Sequence, residues 1–268
     1  RDQTALAGAL RAARPEIVLH LAAQPLVGEG YRDPVGTYAT NVMGTVNLLE
    51  AARQQPELRC IVTITTDKCY ANDELGQPFR ESDPLGGHDP YSSSKACTEL
   101  VCAACRQSFL ADAGIHLATA RAGNVIGGGD WAADRLVPDL LRDLSAGQHA
   151  RLRNPHAVRP WQHVLEPLCG YLMLAEALFA SAEYARAWNF GPEASDCVST
   201  GQLAELLCDA WGDDAKWVHT ATDFPHEAKL LSLDAGAAKK ILKWRPKWSL
   251  KEAIRHTDDW HRAWLAGE

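Results

Sequence analysis

Two short runs carry side chains that can do chemistry together. Thr65-Thr66-Asp67-Lys68-Cys69-Tyr70 and, beyond a polar loop, Tyr91-Ser92-Ser93-Ser94-Lys95 bring hydroxyls, a carboxylate, two amines and a phenol onto neighbouring segments. Tyr91 and Lys95 stand four apart at the start of a helical segment, so both project from one face. An ammonium beside a phenol favours the phenolate and lowers the tyrosine's pKa. The result is a base able to take a proton from an alcohol while hydride leaves the same carbon. A Tyr-x-x-x-Lys spacing alone recurs by chance, and Thr-Asp-Lys alone makes an ordinary strand-end turn. Their order, behind an apolar strand, is what singles them out.

These side chains need a frame, and the surrounding chain supplies one. Cys60 to Thr65 is a β-branched run with the composition of a buried parallel strand. Thr66, Asp67 and Lys68 then follow its carboxyl end, where open α/β sheets hold their ligands. Gln3 to Arg14 is expected to be an amphipathic helix closed by Pro15, and Ile17 to Leu21 a short apolar strand. Thr37 to Gln54 reads as a helix with Tyr38, Val42, Val46 and Leu49 inward. His20 reads as a packed core histidine, and the small pair Ala22-Ala23 lets a ligand approach the backbone. Residues 71 to 89 form a polar loop too long for a plain connection, expected to wrap the substrate end of the site. Strands are expected at Ile115 to Arg121 and Ala187 to Phe190. Helices are expected from Arg135 to Ala146, Pro167 to Ser181 and Thr200 to Trp211. Ser249 with Glu252 spells a capping box, and Asp234 is a further N-cap. Trp244, Trp248, Trp260 and Trp264 suggest a packing cluster in the carboxyl-terminal lobe.

The 268 residues suffice for one large domain, or a domain with a smaller lobe. A net charge of −7 without any basic run argues against a nucleic-acid surface. No apolar stretch approaches a membrane span. Eight scattered cysteines read as the reduced thiols of a cytoplasmic enzyme. Cys102-Ala-Ala-Cys105 has metal-ligand spacing but no second pair, so it reads as packing and no metal site is expected.

The runs Thr65 to Tyr70, Arg80 to Lys95 and Arg159 to Leu168 resemble the motifs of the extended short-chain dehydrogenase/reductase family. Within it they resemble the nucleotide-sugar 4,6-dehydratases, most of all the branch acting on CDP-glucose. The likeness covers essentially the whole chain. Its most specific mark is Lys68, where most sister dehydratases carry glutamate. It implies an α/β fold: a Rossmann-type doubly wound parallel sheet lacking its N-terminal strands, with a smaller C-terminal α/β substrate lobe. Residues 1–130, rejoined by 162–192, would make up the NAD-binding domain, and 131–161 with 193–268 the substrate lobe. NAD is the implied cofactor, with Asp2, Leu21, Ala22, Ala23, Gln24, Asn41, Thr65, Tyr91 and Lys95 as its contacts. A nucleotide sugar is the implied substrate, met by Asn124, Arg135, Arg159 and His163. Four cations gather at Arg151, Arg153, Arg159 and His163, and Arg159 is favoured as the diphosphate clamp.

The implied reaction is a dehydration by transient oxidation. Tyr91, helped by Lys95, takes the C4 hydroxyl proton as hydride leaves C4, and Thr66 polarises the C4 oxygen. Asp67 is the candidate acid for water loss, a role that requires burial to raise its pKa. Lys68 is the candidate C5 base, which requires its pKa to be depressed. The division of labour between these two stays open. A cytoplasmic homo-oligomer is implied, its product serving deoxy sugars of bacterial surface polysaccharides. Two alternatives remain: an NAD-dependent nucleotide-sugar epimerase, and an inactive relative serving as a binding subunit. Epimerases of this family usually carry Ser-Ser-x where Thr66-Asp67-Lys68 stands, and the intact catalytic set weighs against an inactive subunit. No G-x-x-G-x-x-G phosphate loop occurs in this sequence, and Asp2 matches a family motif that follows the third strand. The expectation is an amino-terminal loss, with an exposed apolar sheet edge, association and weak NAD binding.

Overall fold

The computed structural model describes residues 1–212, 214–220 and 228–268. The chain opens with α1 (Gln3–Ala13), β1 (Ile17–His20), α2 (Val27–Arg32), α3 (Pro34–Tyr38) and α4 (Gly44–Ala52). Next come β2 (Cys60–Ile64), α5 (Pro90–Cys105), β3 (His116–Ala122), β4 (Asn124–Ile126), α6 (Leu136–Ser145), β5 (Ala150–Leu152) and β6 (Val158–His163). It finishes with α7 (Leu165–Ala180), β7 (Ala187–Phe190), β8 (Cys197–Ser199), α8 (Thr200–Trp211), β9 (Trp217–His219) and α9 (Leu250–Ala266). None of the described helices is long and apolar enough to cross a membrane.

The main sheet runs β1-β2-β3-β7 with every pairing parallel. Alternation along β2 explains its two-sided burial: Cys60 and Val62 face α7 and β7, whereas Ile61 faces α4 and α5. On the first side Leu174, Leu178, Trp188, Phe190 and Trp244 close the core, and on the second Leu49, Cys102 and Leu117 do. Each such large apolar side chain contributes roughly 1.5–3 kcal/mol by leaving water. β1 is the edge strand of this sheet, with Ile17, Leu19 and Leu21 well exposed.

A second unit is built from the sheets β4-β6-β8 and β5-β9, packed on α6, α8 and α9 around Leu140, Leu144, Trp161, Leu203 and Ile254. Gly123 alone separates β3 of the main sheet from β4 of the smaller one. The capping box is formed at Ser249 and Glu252, and a second one, unread in the sequence, at Ser199 and Gln202. Asp234 accepts from Gly236 N–H at 2.7 Å, ahead of the turn at Ala238–Leu242.

Two expectations are corrected. The four tryptophans do not form one cluster. Trp244 is buried against Phe190 in the main core, Trp248 packs on His163 and His256, and half-exposed Trp260 and Trp264 meet Trp131. Their spacing mixes three different faces, which indole content alone cannot reveal. The helix expected from Thr37 begins earlier, at Pro34, because Asp33 accepts from Gly36 N–H and Pro34 fits the first turn. It then passes through a π-turn at Ala39–Met43 before continuing as α4.

Candidate active site

The chemistry-bearing residues meet where β2 ends. Its branched residues keep the chain extended to Thr65, after which Thr66 caps a single turn at Asp67–Cys69 by accepting from Lys68 N–H at 3.4 Å. From the other side Asp89 caps α5, accepting from Ser92 N–H at 3.0 Å, with Pro90 in the first turn. Gly87, at φ 142°, lets the preceding loop press against that first turn; a Cβ there would lie 2.4 Å from Ser93 N. Gly30 of α2 also lies close to the Tyr91 backbone, where a Cβ would sit 3.1 Å from the nitrogen. Tyr91 and Lys95 are thereby fixed on the face of α5 that meets the Asp67–Cys69 turn, and both are buried.

Thr66 Oγ donates to Asp67 Oδ1 at 3.1 Å and hydrogen-bonds the Tyr91 phenol. Asp67 is 0% exposed. Its Oδ1 lies 3.6 Å from Lys68 Nζ, while Oδ2 has no hydrogen-bond partner among the described residues. Lys95 donates to the Ile64 carbonyl at 3.0 Å. Burial brings its ammonium down to about 8, with the Glu99 carboxylate opposing the fall. Burial also pushes the Tyr91 phenol up to about 12, against the Thr66 hydrogen bond and the positive charge of Arg135. The lowered tyrosine pKa expected from Lys95 is therefore not what the structure shows: desolvation outweighs it, and Lys95 is directed at a backbone carbonyl.

Asn41 and Gln24 bind one another. Asn41 Oδ1 accepts from Gln24 N–H at 2.8 Å and Asn41 Nδ2 donates to Gln24 O at 3.0 Å, pinning the segment after β1. Asn41 also donates to Ser94 on α5 at 2.9 Å. Leu21 and Ala22 are exposed beside this segment and Ala23 is half-buried. Thr65 donates its hydroxyl to Glu99. Asp2 caps α1, accepting from Ala5 N–H at 2.9 Å.

A cavity of about 360 Å³ opens over Thr66, Lys68 and Tyr91 and reaches Asn124, Arg135 and Arg159. Asn124 Oδ1 is buried there with no partner among the described residues. Arg135 pairs with Asp130 at 2.8 Å on the rim. Arg159 is held by the carbonyls of Val158 and Ala228. His163 is not brought to this cavity: its ring packs edge-on against Trp248 at 4.8 Å and accepts from Leu165 N–H. A second cavity of about 400 Å³ lies beyond Lys68, bordered by Tyr70, Asn72, His88 and Asp89, and Val27 and Lys68 line both. Glu99 and Arg121, singled out by no charge or spacing argument in the sequence, form a buried pair directly behind the site at 2.8 Å. The signal was present as the four-residue step Tyr91, Lys95, Glu99.

The geometry offers a hydroxyl and a phenol side by side, with a carboxylate and an amine one position further along.

Comparison with known proteins is consistent with that arrangement. The family model for GDP-mannose 4,6-dehydratase matches residues 1–257. CDP-glucose 4,6-dehydratase of Salmonella typhimurium is 48% identical over 274 residues, spanning 100% of this chain and 76% of that protein. dTDP-glucose 4,6-dehydratase of Streptomyces griseus is 29% identical, over 92% of this chain and 73% of its own. Among solved structures, dTDP-glucose 4,6-dehydratase of Streptomyces venezuelae with NAD bound superposes with a TM-score of 0.84 at 26% identity, covering 98% of this chain and 77% of that one. UDP-glucose 4-epimerase of Thermotoga maritima superposes at 0.87 with 23% identity, covering 98% and 82%, which shows the shared fold alone.

Proposed function

Since this chain belongs to the GDP-mannose 4,6-dehydratase family of extended short-chain dehydrogenases/reductases, we propose that it converts CDP-glucose to CDP-4-keto-6-deoxyglucose and water. The observation that carries the reading is Thr66, Lys68 and Tyr91 in one cavity wall, with the buried Asp67 carboxylate 3.6 Å from the Lys68 amine behind them. An epimerase needs the phenol and the hydroxyl but no acid to expel a hydroxyl. The nucleotide assignment is supported by the 48% identity to the Salmonella enzyme.

The residues present suit the nicotinamide half of NAD. The Lys95 ammonium spends one donor on Ile64 and keeps others for ribose hydroxyls, and the small Ala22 and Ala23 let a ring approach the backbone. NAD held there would supply a reversible hydride acceptor for the sugar. Thr66 hydrogen-bonds the C4 oxygen, and Tyr91 takes its proton in the oxidation. The C4 ketone acidifies the C5 proton, which Lys68 removes. Asp67, with one oxygen lacking a partner among the described residues, delivers a proton to the departing C6 hydroxyl. Asn124 and Arg159 serve the nucleotide diphosphate, with Arg135 at the rim.

We read residues 1–130 with 162–192 as the cofactor unit and the remainder as the substrate unit. A cytoplasmic homo-oligomer supplying deoxy sugars for surface polysaccharide accords with this chemistry. Exposed Val35 and Tyr38 on α3 with Met43 just beyond it, and Leu100 on α5 with Phe109 just beyond it, support self-association.

Product analysis tests the function. This chain is incubated with NAD and, separately, CDP-, dTDP-, GDP- and UDP-glucose. A 4-keto-6-deoxy product from CDP-glucose in preference to the others is expected. Preference for another nucleotide removes the CDP assignment, and a C4 epimer removes the dehydratase reading.

A further inference from the structure

Behind the catalytic row lies a buried ion pair that none of these steps uses. Glu99 sits one turn beyond Lys95 on α5 and is 4% exposed. Its carboxylate accepts from Thr65 Oγ at the end of β2, and from Thr119 Oγ at 2.7 Å, Arg121 Nε at 2.9 Å and Arg121 Nη2 at 2.8 Å on β3. Arg121 also donates to the Tyr70 phenol at 2.8 Å and lies over its ring, and that phenol donates to Asn189 on β7 at 2.7 Å. Every strong donor and acceptor at the centre of this network is used, which makes it rigid. A buried pair is often no more stabilising than apolar residues of the same volume, so its value is to be sought in what it holds in place. It holds the ground under Lys95: Thr65, gripped by Glu99, follows Ile64, whose carbonyl receives the Lys95 ammonium.

We propose that Glu99 is a positioning residue for the hydride-transfer step, clamping α5, β2 and β3 together so that Lys95 is seated against the Ile64 carbonyl with a carboxylate one turn behind it. The proposal rests on the reading of Tyr91 and Lys95 given above. The titratable groups facing Lys95 from its surroundings are His20 on β1, Cys69 after β2, and Glu99 and Cys102 on α5. Glu99 is the carboxylate among them, and it is the largest influence keeping the ammonium charged against burial.

Isotope-labelled lysine NMR on the folded protein measures the seat directly, with Lys95→Arg identifying the signal. The wild-type Lys95 midpoint is expected near 8, as burial sets it, and Glu99→Gln should lower it by about one unit. Because Glu99→Gln leaves Arg121 buried without its partner, the paired variant Glu99→Gln/Arg121→Met removes both charges and should show the same fall. In single-turnover mixing with NAD and CDP-glucose, the alkaline limb of nicotinamide reduction should move to lower pH by the same amount, with Glu99→Asp restoring it in part. A folded variant whose Lys95 midpoint and reduction profile match wild type overturns the positioning role. If instead the midpoint falls as expected but wild type itself reduces no NAD with CDP-glucose, the functional reading fails and the seat stands.

Discussion

At the scale of single residues, the two halves of the reaction separate by side chain. Tyr91→Phe is expected to reduce the first hydride transfer by about 10²–10⁴-fold, the usual contribution of a positioned acid–base group, read as nicotinamide absorbance in a single turnover. Lys68→Met should still give that absorbance yet release little 4-keto-6-deoxy product. Product near the wild-type level would make Lys68 a structural or diphosphate contact. His20 gives a pH dependence of stability. Burial, then the Lys95 charge, brings it from 6.5 to about 4, and its Nε2 lies 3.1 Å from Thr45 Oγ. Above 6.5 it is neutral in both folded and unfolded chain, so the native state bears no penalty. Between 6.5 and 4 the unfolded chain binds the proton first, so about 3 kcal/mol of stability is lost as pH falls through that window. Urea titrations across this range should show the loss, and His20→Asn should flatten it. The tyrosine and both lysines were legible in the sequence because their spacing expresses one helix face and one strand end. Glu99 and Arg121 were not, since a buried charge is recognisable only once its partner from another strand is in place. His163 was misjudged for the converse reason: its run of cations signals a ligand, but β6 turns that ring toward Trp248.

At the scale of elements, most boundaries followed from chemistry visible along the chain. β2 was readable from its branched residues and α9 from its capping box, whereas the Asp89-Pro90 start of α5 emerged only in the structure. The π-turn was not readable either, because nothing in Ala39–Met43 distinguishes it from α-helix; the mutual hydrogen bonds of Asn41 and Gln24 select it. The loop from residue 71 to 89 borders the second cavity and not the one that reaches Asn124 and Arg159. Its seating on α5 depends on Gly87, whose positive φ and closeness to Ser93 leave no room for a side chain. Gly87→Ala is expected to cost about 1–3 kcal/mol and to raise KM more than it lowers kcat, since the loop borders Lys68 on the side of the second cavity. Thermal melts and steady-state kinetics on the same variant check both parts.

At the scale of the whole molecule, the main sheet ends on a strand whose apolar side chains are turned to solvent. Exposed edges of this kind template pairing with another chain, so self-association rising with concentration is expected in light scattering. Leu19→Lys, which places a charge on that edge, should reduce it; an unchanged profile would locate the association elsewhere. The two units meet at a different kind of junction. The chain first crosses from β3 to β4 through Gly123, where a Cβ would lie 2.4 Å from Pro160 and 3.3 Å from Asp67 Oδ2. That places Asp67, proposed above as the proton donor, at the first crossing between the two units. A side chain added at position 123 would therefore press on both at once, displacing Pro160 of the smaller unit and the Asp67 carboxylate together.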